Sequence, residues 1–218
     1  MLNTDNILHN ADGLLKGNGF DYSICGGFAL DLFLGKTVRK HGDIDICVYQ
    51  EDRAKIIDYM INIGWNVYEF CGNGIIHLLS SGSDSVHIGN LMCVYDDCEL
   101  LTTNITDKKN YFHHNFLSIG ITKLNYMEFL FNDRHNGKTI FDKDFNVERD
   151  TGKAFLKLNG LKYLAPEIIL YFKANNPELK NNIDFDTTVN FLNDDQKTWL
   201  KQSVIRKHGD NHFWLSKI

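Results

Sequence analysis

Cys25-Gly26-Gly27-Phe28-Ala29-Leu30-Asp31-Leu32-Phe33-Leu34-Gly35-Lys36 runs directly into Thr37-Val38-Arg39-Lys40-His41-Gly42-Asp43-Ile44-Asp45-Ile46-Cys47-Val48. The apolar run Tyr22, Ile24, Cys25 stops at a glycine pair, where the backbone can turn sharply and approach a ligand without a β-carbon in the way. Phe28, Leu32 and Leu34 follow at helical spacing. A helix that starts just after two glycines presents unsatisfied N–H groups, a physical basis for holding phosphate.

In Asp43-Ile44-Asp45-Ile46 acids alternate with apolar residues, so an extended strand projects both carboxylates from one face and both isoleucines from the other. Two adjacent carboxylates repel each other, and divalent cations between them relieve that repulsion. Mg²⁺, with its preference for oxygen ligands and nucleotide phosphates, is the natural candidate. Either motif alone reads as an ordinary turn or a polar strand edge. Their order, strand, glycine turn, helix, basic loop, acidic strand, points to chemistry.

Gly26-Gly27-Phe28-Ala29-Leu30-Asp31 with Gly35, Arg39, His41, Asp43 and Asp45 resembles the GG-W-A-[IL]-D … G … R-x-H-x-D-[IL]-D signature of antibiotic nucleotidyltransferases, the aminoglycoside 2''-adenylyltransferase and lincosamide nucleotidyltransferase group of the polymerase-β-like superfamily. Tyr163-Leu164-Ala165-Pro166-Glu167, Lys173-Ala174 and Lys180-Asn181-Asn182-Ile183-Asp184-Phe185 resemble a second segment of that group, with Asn181 where the family has aspartate. The resemblance implies an α+β fold: a polymerase-β-like mixed sheet with flanking helices and a small helical C-terminal part. It implies transfer of a nucleoside monophosphate, AMP from ATP, to a hydroxyl of an aminoglycoside or lincosamide, with release of pyrophosphate. Gly26 and Gly27 would hold the β/γ-phosphates, and Asp43 and Asp45 two Mg²⁺ ions. Arg39 would offset triphosphate charge or tie down its loop, and Lys173 would reach nucleotide or acceptor or else snorkel from an apolar helix.

The family also carries a third carboxylate on a strand, expected here between Ser85 and Tyr95, where the alignment places His87. Three readings stand open. His87 serves as general base; or Asp84, Asp96 or Asp97 supplies the acid from a neighbouring turn; or transfer is lost and the fold survives as a nucleotide or small-molecule binder.

Composition agrees with a folded enzyme. The 218 residues are 43% hydrophobic with only two prolines, enough for a sizeable core. A net charge of −5 supplies no basic footprint for nucleic acid and favours a small acceptor. Five scattered cysteines without a Cys-x-x-Cys pair fit neither a disulfide framework nor structural zinc. Without a membrane-length apolar run or a leader pattern, the cytoplasm is the expected location.

Along the chain, Ile7, Leu8, Ala11, Leu14 and Leu15 predict a helix with Thr4 or Asp5 as N-cap, and Ile56, Ile57, Met60 and Ile63 predict another that ends at Gly64. Residues 65–70 and 75–79 flank Gly72-Asn73-Gly74 as a hairpin, with His77 a hydrogen-bonded sheet residue. Residues 116–127 read as a further strand or two and 132–137 as a loop. The mixed region is expected to fill 1–160 and helices 161–218, the last starting near Asn193 and the terminus around His208 and His212 fraying.

Overall fold

The computed structural model describes residues 5–96, 98–117 and 120–218. Thr4, the Asp5 side chain and Asp97, all named above, lie outside what is described. In chain order the elements are α1 (Asp5–Leu15), β1 (Ser23–Ile24), α2 (Gly26–Leu34), β2 (Asp45–Tyr49), α3 (Arg53–Asn62), β3 (Asn66–Gly72) and β4 (Ile75–Leu79). Next come β5 (Leu91–Val94), β6 (Leu101–Ile105), β7 (Tyr111–Phe116), β8 (Tyr126–His135), β9 (Lys138–Asp142) and β10 (Val147–Asp150). They are followed by α4 (Thr151–Ala154), β11 (Phe155–Leu158), β12 (Leu161–Leu164), α5 (Pro166–Ala174), α6 (Leu179–Thr188) and α7 (Asp194–His208). The fold is α+β with a mixed sheet, as the sequence implies. Two compact units result, one from the N-terminal part up to Ile24 with Lys40–Asp133, the other from Cys25–Arg39 with Arg134–Ile218.

In the first unit the strands lie in the order β1-β2-β8-β5-β3-β4-β7-β6. Only β2 and β8 run parallel; every other neighbouring pair in that order is antiparallel. One cross-strand row reads Ile46, Phe129, Leu91, Glu69, His77. The next row, on the opposite face, reads Asp45, Glu128, Met92, Tyr68, Leu78. Ile44, Ile46, Phe129 and Leu91 are fully buried, as are Leu8, Ala11 and Leu15 of α1 and Ile56, Ile57 and Met60 of α3. Each large apolar side chain of this set contributes about 1.5–3 kcal/mol by leaving water. The β3–β4 turn has Asn73 and Gly74 both at positive φ, 52° and 71°, as a tight two-residue hairpin requires.

In the second unit α2 packs against β12, α5 and α6. Pro166 sits in the first turn of α5, and Asn193 and Gln196 close a capping box at the start of α7. The terminus does not fray. Trp214 is buried and stacks on Phe185 with centroids 4.1 Å apart, its indole N–H donates to Asn182 Oδ1 (2.9 Å), and His212 Nε2 meets the Ala174 carbonyl (3.2 Å).

Three further expectations are corrected. Residues 100–117 form the β6–β7 hairpin, and no strand is described between Phe116 and Tyr126. Strand β8 continues through Asn132 to His135, leaving Asn136-Gly137 as the turn. The strand expected over 85–95 is confined to Leu91–Val94, because the Val86 and His87 N–H groups donate to the Glu69 carboxylate (both 3.2 Å) and not to a strand ladder.

Phe129 lies at the centre of β8 with no exposed surface, so Phe129→Ala is expected to cost about 3–5 kcal/mol in urea unfolding. A loss below about 1 kcal/mol would show that the β2–β8–β5 layer is not the core of this unit.

Candidate active site

Asp45 opens β2, and its partner in the parallel ladder is Glu128 of β8. The Glu128 N–H donates to the Ile44 carbonyl (2.9 Å), extending the pairing towards Asp43. Neighbouring strands lie about 4.8 Å apart, so register partners project side by side from one face. Asp43, two residues earlier on the extended chain, points the same way. A third carboxylate therefore stands in the row, from a strand far downstream that sequence reading does not connect with the pair.

Glu128 Oε1 accepts a hydrogen bond from the Tyr126 hydroxyl (2.7 Å). Burial, opposed by that bond and joined by the charge of Asp43, pushes the Glu128 carboxyl up to about 6. Tyr126 is buried, and its hydroxyl is pushed far above the usual range by burial and then by Glu128. Beside the row lies an apolar cluster of Ile76, Met92, Val94, Cys98, Leu100 and Tyr126. Phe116 packs on Tyr126 with centroids 4.9 Å apart.

Among the described residues, no group of three or more His, Cys, Asp or Glu side chains is gathered closely enough to hold a metal ion by itself. Mg²⁺ does not need such a cage. It commonly takes one or two carboxylates and completes its octahedron with water and phosphate oxygens. Asp43 and Asp45 supply hard oxygen donors on an acid row whose mutual repulsion a cation relieves, so the residues present fit the ion.

Gly26, Gly27, Arg39 and Lys173 lie in the second unit. Gly26 begins α2 at φ 62°, a conformation that disfavours any other residue, and the Cys25 side chain at the N-cap does not cap the helix. Asp31, buried within α2, accepts from the Val38 N–H (3.0 Å) and fixes the loop that leads to Arg39. Arg39 grips Asp184 with two bonds, Nε to Oδ1 (2.9 Å) and Nη2 to Oδ2 (2.8 Å). Lys173 Nζ reaches Asp184 Oδ2 (2.8 Å) and Asn181 Oδ1 (3.0 Å). Burial pushes the Asp184 carboxyl up, but Arg39 and Lys173 outweigh it and hold the group below the ordinary range. Arg39 and Lys173 thus meet on one buried acid, which neither of their sequence readings named.

His87 is exposed and lies outside β5, with its backbone on Glu69. Asp84 caps a turn with Ser80, and Asp96 is exposed at φ 48° beyond β5. His77 is the sheet residue expected, bonded through Nδ1 to Glu69 Oε1 (2.9 Å) on the face opposite the acid row. A signal for Glu128 was present: a single acid within the apolar run Tyr126-Met127-Glu128-Phe129-Leu130-Phe131 is out of place unless its face has a use.

The fold is one that solved antibiotic adenylyltransferases share. Residues 7–98 match the family model described as aminoglycoside-2''-adenylyltransferase, so the resemblance read from the signature to antibiotic nucleotidyltransferases holds; Glu128 lies beyond the matched stretch. Among solved structures, ANT(2'')-Ia in complex with adenylyl-2''-tobramycin is 12% identical, with 92% of this chain and 97% of the other covered and a TM-score of 0.57. The lincosamide antibiotic adenylyltransferase LnuA, lincomycin-bound, is 14% identical over 87% of this chain and 98% of its own, with a TM-score of 0.53. At such identities these likenesses establish the shared fold. No curated protein matches by sequence. Among the described residues no helix is long and apolar enough to cross a membrane.

The raised Glu128 carboxyl carries a signed consequence. Its folded value, about 6, exceeds the ordinary 4.5, so its contribution to stability is full below 4.5 and is lost as pH rises through 6. Glu128→Gln removes that titration. In metal-free buffer the variant is expected to gain about 1–2 kcal/mol on the native chain between pH 4 and 7. Parallel stability profiles for the two proteins would contradict the assignment.

Proposed function

We propose that this protein is a Mg²⁺-dependent adenylyltransferase that moves AMP from ATP to a hydroxyl of a small acceptor of the aminoglycoside or lincosamide type. The observation that carries the reading is Glu128 beside Asp45 in the parallel ladder, which supplies the third acid absent from the local sequence. Asp43 and Asp45 would hold the metal, one ion or two, which when bound provides Lewis-acid stabilisation of phosphate charge. The first N–H groups of α2, after Gly26 and Gly27, bind the β- and γ-phosphates. Glu128, with its raised carboxyl and one oxygen fixed by Tyr126, takes the proton of the acceptor hydroxyl as that oxygen attacks the α-phosphorus and pyrophosphate departs. The acceptor class rests on the family match and the fold likeness, and the net charge of −5 is consistent with a cationic one. A second reading, a binder without transfer, draws on the lack of a ready-made three-ligand metal cluster among the described residues.

The test is pyrophosphate release with Mg²⁺ and ATP across aminoglycosides and lincosamides. Asp43→Asn and Asp45→Asn are expected to abolish turnover, and Glu128→Gln to lower kcat by roughly 10²- to 10⁴-fold with ATP affinity little changed. His87→Ala is expected to stay within about threefold of the native rate, since a surface ring outside the acid row does not reach the proton. Full activity in Glu128→Gln, or a collapse in His87→Ala, would transfer the base to the histidine. ATP binding without turnover on any acceptor would favour the binder.

A further inference from the structure

Tyr68 stands on the same cross-strand row as Asp45 and Glu128, two strands beyond Glu128 and about 10 Å from it at ordinary strand spacing. It is half-buried against the apolar cluster beside the acid row, its ring perpendicular to that of Phe112 with centroids 6.2 Å apart. Its hydroxyl has no hydrogen-bond partner among the described residues, and burial raises it above the ordinary range, so it stays a proton donor. A phenol kept among apolar side chains usually has a partner, and here the fold supplies none.

The surface around Tyr68 is apolar and uncharged. Phe70, Leu78 and Phe112 are half-buried on the same face, with Ile76 and Met92 buried among them. Strands β3 to β7 contain a single acid, Glu69, and it lies on the opposite face, committed to His77, Ser85 and the Val86 and His87 N–H groups. Glu99, between the cluster residues Cys98 and Leu100, is exposed, as is Asp96. The net charge of −5 belongs to the whole chain and places no carboxylate on this sheet face. The family match, which names the aminoglycoside reaction, ends at Cys98 and does not include Phe112.

An acceptor whose hydroxyl stands at Glu128 can lay its body across β5 and β3 onto this face. Several ammonium groups would lose water there without gaining a carboxylate, whereas apolar groups gain by leaving water. We infer that Tyr68, Phe70 and Phe112 form the acceptor-binding floor, and that it selects an acceptor with an apolar body and a single positive charge over a polycation. Of the two acceptor classes proposed above, that is the lincosamide, a sugar joined through an amide to an alkylated pyrrolidine, and not the many-amine aminoglycoside. The Tyr68 hydroxyl donates to an oxygen of that body. The inference deepens the adenylyltransferase reading and rests on it for the position of the reacting hydroxyl.

The experiment is calorimetric binding of lincomycin and of tobramycin to the native chain and to Tyr68→Phe, with and without a non-hydrolysable ATP analogue, alongside pyrophosphate release from ATP. Lincomycin is expected to bind the native chain roughly tenfold or more tightly than tobramycin. Tyr68→Phe keeps the ring and removes no hydrogen bond of the folded chain; it is expected to weaken lincomycin by about three- to tenfold and leave tobramycin within about twofold. In turnover, KM for lincomycin should rise by the same factor with kcat within about twofold, because the hydroxyl stands away from the reacting atoms. His113→Ala, on the opposite face of β7, is the control and should change neither affinity. Tobramycin bound as tightly as lincomycin, no lincomycin binding by the native chain, unchanged lincomycin affinity in Tyr68→Phe, or an equal loss in His113→Ala overturns the inference. Lincomycin binding that weakens in Tyr68→Phe, in a chain that never releases pyrophosphate, would leave the floor standing and remove the transferase reading instead.

Discussion

Strands β2 and β8 lie side by side in parallel, and each carries an acid at the same level of the ladder. Backbone pairing fixes this and side-chain preference opposes it, since like charges in register destabilise a sheet. The structure tolerates the arrangement because the opposite face of the same strands, Ile44, Ile46 and Phe129, is fully buried, and a one-residue slip would exchange that apolar face for the acids. Core formation thus dictates the acid row. The cost appears as a carboxyl on Glu128 that gives up its proton more reluctantly than an ordinary glutamate.

A second acid, Glu69, shows the opposite solution on the opposite face. It is fully buried, but His77, Ser85, Val86 and His87 all direct hydrogen bonds or ring nitrogen to it, and Arg53 approaches within 3.7 Å. Burial pushes its carboxyl up, and those bonds more than reverse the effect, so it remains charged. Glu69 organises the 82–90 segment, while Glu128, with one hydrogen bond from Tyr126, is left electrostatically unsettled. The contrast shows how the number of hydrogen bonds decides which way burial moves a carboxyl.

Much of this was legible in the sequence because it is local. The glycine pair, the helix after it, the alternation of Asp43 to Ile46, the Asn73-Gly74 turn and the proline of α5 each declare themselves within a few residues. Glu128 did not, because the pairing of β2 with β8 joins distant parts of the chain and no local period announces which strand lies beside which. His87 occupied the expected place for a related reason. The apolar alternation around it reads as strand, but the buried Glu69 carboxylate captures the N–H groups of Val86 and His87 and the segment becomes a loop. Likewise Arg39, Lys173 and Asp184 were each visible in the motifs, whereas the pairing of both cations with that one acid was not.

The two charged clusters differ in sign. Around Asp43, Asp45 and Glu128 negative charge is in excess, and Glu128 holds its proton more tightly than an ordinary carboxyl; at Asp184 the hydrogen bonds and charges of Arg39 and Lys173 outweigh burial and hold the carboxyl below the ordinary range.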